Sequence, residues 1–434
     1  MNAGFKPLIT NPGTTKQIIT ASSVEQMGQR AREASRVLAC AKTSQKNDAL
    51  LAMAKAIRGN CAEILSANAK DLENGKAAGL TDSLLDRLRL TEERIEGIAV
   101  GIEETAALAD PIGEVIEGGV RSNGLSIRKI RVPLGVIGII YEARPNVTPD
   151  AAALCLKSGN CCILRGGKEA INSNIAIINI LRAAVESAGL PADCLQLIGD
   201  TSRESSTALM RLETLDVLIP RGGAGLIRAV VENAKVPVIE TGVGNCHVFV
   251  DATAKTEMAA DIVFNAKTSR PSVCNAMETL LVHRDAAQRV LPAIYARLRE
   301  KNVELRGDEE TRAILGNDVI PATEDDYATE FLDFILACRV VSDIDEAIEH
   351  IAKYSTGHSE CIVTSDYENA AKFTSSVDAA AVYVNASTRF TDGGVFGLGA
   401  EIGISTHKLH ARGPMGLREL TSMKFIIEGS GQVR

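Results

Sequence analysis

The sequence contains no tryptophan, and aromatic residues make up only 3% of its 434 positions. A core built from it has to be aliphatic. No run of 18 apolar residues occurs, which excludes a helix that crosses a bilayer. Residues 1–15 lack the basic start and apolar block of a signal peptide, so the expected location is the cytoplasm. The ten cysteines are scattered, none forms CxxC, and several, such as Cys155, Cys161 and Cys162, lie inside apolar runs. In a reducing compartment such residues are small buried hydrophobes. Positive charge is in deficit, with 47 Lys+Arg against 55 Asp+Glu and a net charge of −8. That balance argues against nucleic acid or an anionic membrane as the principal partner. His407 and His410 have no further Cys, His or near carboxylate to complete a ligand set, so no metal is expected.

What is present is ordinary globular usage, 45% hydrophobic and 24% charged, over a length that suggests two or three domains. Residues 24–105 place apolar side chains at spacings of three and four, as in Leu50, Leu51, Met53, Ala54 and Ile57, and read as helices. Thr81 and Thr91 suit their N-caps. Residues 114–122 and 125–132 read as a hairpin about Asn123–Gly124, a pair suited to a turn with both central residues at positive φ. A break at Arg128–Lys129 reads as a bulge. Two strands are rarely stable alone, so this arm is expected to lie against another surface, such as a second subunit.

From residue 135 the pattern becomes strand, helix, strand. Strand-like runs at 135–141, 161–164, 195–198, 217–220, 236–239 and 247–250 are mostly separated by helical segments such as 171–188 and 224–233. This predicts a parallel, doubly wound sheet with ligands beyond its carboxyl ends. A second alternation over 279–384 predicts a second α/β unit, and 424–427 is a final β-leaning run. The expected division is 1–113 with 134–253 as a dinucleotide-binding domain, 254–412 as a catalytic domain, and 114–133 with 413–434 as the arm.

Several segments could carry chemistry. Pro271 suits a first helical position, which would set Cys274 near a helix N-terminus, where a thiolate is stabilised. Arg270 adds positive charge, and the segment joins the two α/β units. A buried structural thiol is the alternative. Gly222 and Gly223 end a strand before a helix and could present N–H groups to a pyrophosphate, or form a tight turn with no ligand. Arg165 and Lys168 flank two glycines at another strand end, as a phosphate grip or as solvated charge. Glu240 ends a further strand, as a general base, a cofactor contact or a turn residue.

Taken together, the segments VPLGVIGIIYEARPN (132–146), LRGGK (164–168), IPRGG (219–223), ETGVGNCH (240–247), RPSVC (270–274) and FGLGAEIGISTHKLHARG (396–413) make the chain resemble the aldehyde dehydrogenase superfamily. Within it, the resemblance is to the branch that reduces γ-glutamyl phosphate, and it spans about 21–427. It implies two doubly wound α/β domains plus a small β oligomerisation arm. It also implies NADPH-dependent reduction of L-glutamyl 5-phosphate to L-glutamate 5-semialdehyde through a Cys thioester, in proline biosynthesis. By position, Cys274 matches the superfamily's nucleophile, Asn146 its oxyanion-holding Asn and Glu240 its general base. Glu330 matches the Glu on the nicotinamide ribose, and Gly222 and Gly223 lie near the pyrophosphate.

Two departures stand out. Where the superfamily often has Lys-Pro-Ser-Glu, this chain has Arg165-Gly-Gly-Lys168, and a Lys in place of a Glu favours a 2′-phosphate and hence NADPH. The Phe-Gly-Pro motif near the ribose Glu is missing. Arg270, Arg389 and Arg412 are candidates for the substrate phosphate or α-carboxylate, with surface ion pairs as the alternative. The acyl phosphate has to come from a separate protein, glutamate 5-kinase, and a homo-oligomer is expected. Rival readings are an NAD-dependent aldehyde dehydrogenase using water activated by Glu240, a thioester-forming acyltransferase, and a dinucleotide-binding protein without chemistry.

Overall fold

The computed structural model describes residues 21–434. Among these residues five helices precede the first strand, from Ala21–Leu38 to Glu92–Ala107. Thr81 and Thr91 cap two of them, their hydroxyls accepting from the N–H of Leu84 and Arg94. Each cap satisfies a donor that the first helical turn would leave unpaired.

The first sheet is parallel, in the order Leu195–Leu197, Cys161–Arg165, Val136–Tyr141, Val217–Arg221. All six residues of Val136–Tyr141 are buried, as a central parallel strand covered on both faces requires. The expected strand at 236–239 does not form. Leu218 and Val238 make one isolated bridge, with Leu218 N–H donating to Pro237 and Ile239 N–H to Leu218. Pro220 and Pro237 each remove a ladder donor, which ends the sheet at this edge.

The second sheet has seven parallel strands in the order Ile320–Pro321, Glu304–Gly307, Ile335–Val341, Met277–His283, Cys246–Val250, Ser359–Val363, Ala381–Val384. Its central strands alternate between two cores. Val248, Val250, Leu280 and Val282 pack on one side. Phe249, Leu281 and Ile362 pack on the other, against Ile351 and Phe373. This period of two is what a strand buried on both faces produces.

The expected boundary at 253 is therefore too late. Cys246–Val250 is wholly buried and needs a ladder partner on each side, which the proline-blocked edge of the first sheet cannot supply. At the other end, Ile402, Ala411, Met415, Leu417 and Leu420 pack into the core of the first lobe, not the second lobe or the arm.

The arm is the antiparallel sheet Val115–Val120, Ser126–Pro133, Thr421–Glu428, with Ser126–Pro133 in the middle. Its turn differs from the expected one. Only Gly124 has positive φ, +85°, and its N–H closes a four-residue turn onto Arg121 C=O. The bulge lies between Val115 and Glu117 on the first strand, opposite the expected place. Five residues in the connection relieve Asn123 of a left-handed conformation. Among the described residues no helix is long and apolar enough to cross a membrane.

Candidate active site

A cavity of about 300 Å³ lies between the lobes. Tyr141, Glu142, Arg144, Arg221, Gly222 and Gly223 reach it from beyond the carboxyl ends of the first sheet. The second sheet supplies its amino ends instead. Cys274 and Asn275 precede the strand Met277–His283, Thr241–Val243 precede Cys246–Val250, and Glu330 and Leu332 precede Ile335–Val341. The carboxyl-end rule holds for the first lobe only.

Cys274 does not sit at a helix N-terminus. The preceding helix ends at Thr268, and 271–276 form turns leading into a strand. Its thiol therefore gains nothing from a helix dipole. Burial pushes it up to about 11, with Arg221 pulling it down and Glu330 and Glu401 opposing that pull. The turn is pinned from several directions. Arg87 donates to Ser272 C=O at 3.1 Å, Cys246 Sγ to Cys274 C=O at 3.2 Å, and Thr388 to Asn275 C=O at 2.7 Å. Asn275 donates to the carbonyls of Arg389 and Thr391. Behind the turn, a Cβ on Gly244 would come 1.4 Å from the Cys274 carbonyl oxygen. Only a glycine lets these two backbones approach so closely.

Glu330 joins this arrangement by accepting the Gly244 N–H at 2.7 Å, and burial holds its carboxyl above the usual range. The loop that carries it rests on a buried ion pair. Lys267 Nζ is 2.5 Å from Glu278, with both side chains fully buried, and Glu278 also accepts the N–H of Leu332 at 3.1 Å. Leu332 itself adopts φ +55°. Burial raises the Glu278 carboxyl to about 7, while Lys267 opposes the rise. Replacing Lys267 by Met leaves a buried carboxylate without its cation, so thermal unfolding should show a loss of about 3 kcal/mol. Replacing both residues, Lys267→Met with Glu278→Leu, should recover part of that loss.

Of the residues singled out in the sequence, Cys274, Arg270, Arg389, Glu330, Gly222 and Gly223 line this one cavity. Five do not. Asn146 is exposed and its amide donates to Asp150 at 3.1 Å, although its neighbour Val147 is in the lining. Glu240 is half-buried beside the lining residue Thr241. Arg165 is half-buried and donates to the carbonyls of Thr201 and Ser202. Lys168 is exposed beyond the strand end. Arg412 is exposed and bound to Asp378 at 2.7 Å, away from the cavity, and is withdrawn as a substrate contact.

The sequence reading missed Arg87, Arg144, Arg221, Glu142, Asp392 and Glu401, which also line the cavity. Arg144, Arg221, Glu142 and Glu401 stand inside motifs already singled out, each beside a glycine- or proline-marked turn.

The glycine turn fits a dinucleotide. The helix Ala224–Asn233 follows Gly223 with no side-chain cap, so its first N–H groups, unlike that of Gly223, are left for an anion. A Cβ on Gly222 would meet Glu142 at 2.6 Å, and the Gly223 N–H reaches Glu142 at 3.2 Å. Arg165 Nε is buried without a partner, an unspent donor at the end of Cys161–Arg165, on the other side of Val136–Tyr141 from the glycine turn.

A thiol facing a dinucleotide-type turn across an interlobe cleft defines the class, an oxidoreductase fold of the aldehyde dehydrogenase type. Residues 5–315 match the model of the aldehyde dehydrogenase family. A gamma-glutamyl phosphate reductase of Moorella thermoacetica is 61% identical over 95% of this chain and 99% of its own. One of Clostridium botulinum is 61% identical over 94% and 98%. The crystal structure of the Thermotoga maritima gamma-glutamyl phosphate reductase matches with a TM-score of 0.92 and 53% identity, covering 94% of this chain and 99% of its own. The chain belongs to the aldehyde dehydrogenase family, and within it to the gamma-glutamyl phosphate reductases.

Proposed function

We propose that this chain reduces L-glutamyl 5-phosphate to L-glutamate 5-semialdehyde with NADPH, releasing phosphate, as a step of proline biosynthesis. The observation that carries this reading is a set of five arginines. Arg87, Arg144, Arg221, Arg270 and Arg389 line the cavity around Cys274, and among the described residues none of them is in an ion pair. Burial lowers Arg144, Arg221 and Arg389. Unpaired, partly desolvated guanidinium groups favour a polyanion. The proposed substrate brings a phosphate and an α-carboxylate. Its α-ammonium has Glu142, Asp392 and Glu401 as available acids in the same cavity.

The Cys274 thiolate attacks the acyl carbon, a C–S bond forms, and the C–O bond to phosphate breaks. The arginines, Arg270 and Arg389 among them, hold the phosphate as it leaves. Asn146, turned from Asp150 toward the cleft, and the Cys274 backbone N–H steady the oxyanion. When bound, the reduced nicotinamide supplies the hydride that converts the thioester carbon to the aldehyde level. Collapse of the resulting thiohemiacetal returns the thiol and frees the semialdehyde. No water has to be activated in this direction, so Glu240, outside the cavity lining, is dispensable for reduction.

Gly222 and Gly223 are the proposed pyrophosphate contacts and Glu330 the ribose contact. Lys168 and Arg165 are proposed for the 2′-phosphate. Lys168 is in no ion pair among the described residues, which leaves its charge available. A second copy of this chain is the proposed cover for the arm, where Met423, Phe425 and Ile427 are 50%, 60% and 60% exposed along one strand face. The proposed setting is the cytoplasm, alongside a separate glutamate 5-kinase.

The test runs the reaction in reverse, since acyl phosphates are short-lived. With glutamate 5-semialdehyde, the expected result is nicotinamide reduction that requires inorganic phosphate and favours NADP over NAD. Lys168→Glu should cut the NADP preference by about tenfold or more. Reduction that ignores phosphate would return the reading to a hydrolytic aldehyde dehydrogenase.

A further inference from the structure

Arg221 is the last residue of the strand Val217–Arg221, at the carboxyl end that opens on the cavity. Its guanidinium packs directly against the backbone of Gly403. A Cβ there would sit 2.3 Å from Arg221 Nη1 and 2.8 Å from its Cζ. Gly403 belongs to the segment that packs back from beyond the second sheet, between Glu401 and the short strand Ile404–Ser405. That segment is tied to the Thr241 side of the cleft by the Thr241–Ser405 bridge. Two distant parts of the chain thus converge to seat one cation in the cavity that Cys274 lines.

We propose that Arg221 is the counter-charge of the nucleophile, seated by Gly403 so that its guanidinium holds the negative charge of the Cys274 thiolate. The inference rests on Cys274 being the nucleophile. Ionisation itself is simple: Cys274 S–H gives its proton to water, and the thiolate stays in the field of Arg221. The need for such a group is clear from the surroundings. No helix dipole acts on Cys274, and burial alone drives the thiol up. Arg221 is the principal cation favouring the thiolate, whereas Glu330 and Glu401 disfavour it. Arg144 and Arg389 also feel the thiolate charge, and Cys246 behind the turn is held neutral by burial. Asp150 and Glu401 face Arg221 in turn, so Glu401 acts on the thiol both directly and by drawing on the arginine.

The experiment reads the thiol without the substrate. Iodoacetamide, a neutral reagent, alkylates thiolates with loss of iodide, and mass spectrometry of the Cys274 peptide separates it from the exposed Cys40. The midpoint of the rate–pH profile gives the ionisation of Cys274. Arg221→Gln should raise the midpoint by roughly one unit or more and slow alkylation at neutral pH about tenfold. Arg221→Lys should restore most of it. Glu401→Gln should move the midpoint the opposite way, which a general loosening of the site would not do. A midpoint unchanged in folded Arg221→Gln overturns the counter-charge. Failure of the parent protein to label at Cys274 at any pH overturns the nucleophile and the counter-charge with it.

Discussion

Cys274→Ala should abolish turnover, by at least about 10⁴-fold, while the melting temperature stays close to that of the parent. The two halves of this expectation have separate grounds. Among the described residues the thiol is the only nucleophilic sulfur in the cavity lining, so its loss removes the covalent route. The side chain is half-buried and its Sγ donates to no other described residue, whereas the turn is held by the backbone carbonyls of Ser272, Cys274 and Asn275. Those bonds survive truncation. Binding of the reduced nicotinamide dinucleotide, followed by fluorescence, should be retained. Activity that persists in the alanine variant would sink the thioester route.

The second large effect comes from a residue with no chemistry. Gly244→Ala should lower the rate by about 10²–10³-fold, because a methyl group cannot share space with the Cys274 carbonyl oxygen and the turn has to move. Displacements near 1 Å cost a rate factor of about 10². The same shift would disturb the Glu330 contact to the Gly244 N–H, so cofactor affinity should fall together with the rate. Gly97→Ala is the control. It lies in the helix Glu92–Ala107 with open space where its Cβ would go, and should be neutral or slightly stabilising. Equal behaviour of the two variants would show that the close approach is not what fixes the nucleophile.

The fold was legible where periodicity carried it. The helices before residue 107, the four strands of the first sheet and the central strands of the second all follow apolar patterns that survive in the structure. Membership of a strand in a particular sheet was not legible. Cys246–Val250 follows the first sheet in sequence but joins the second, and Pro220 and Pro237 were the residues that could have said so. The site divides in the same way. Cys274, Arg270, Arg389 and Glu330 line one cavity, but only Cys274 and Arg270 stood in a motif of distinctive composition. Its helical setting was misread, because Pro271 serves a turn as well as it serves a first helical position. Arg221 and Glu401 stand in glycine-marked motifs, where the turn is the distinctive signal and a single charge is not. Arg412 looked equivalent to Arg389 in sequence. Only the position of Asp378 separates them.

The arm has a consequence for the order in which the molecule is made. Ser126–Pro133 is the middle strand of its sheet, yet one of its partners is synthesised far later, and the Arg128–Glu428 ion pair spans 300 residues. Asn160 waits almost as long for the Leu420 carbonyl, 260 residues on. A hairpin alone is marginal, and contacts this distant form slowly. A growing chain that has reached the second sheet therefore already carries Cys274, but not yet Glu401, Gly403 or the third strand of the arm. On the ribosome the thiol is present before the walls of its cavity are. The synthesis of residues 401–428, rather than the appearance of the nucleophile, is what should turn the nascent chain into a catalyst.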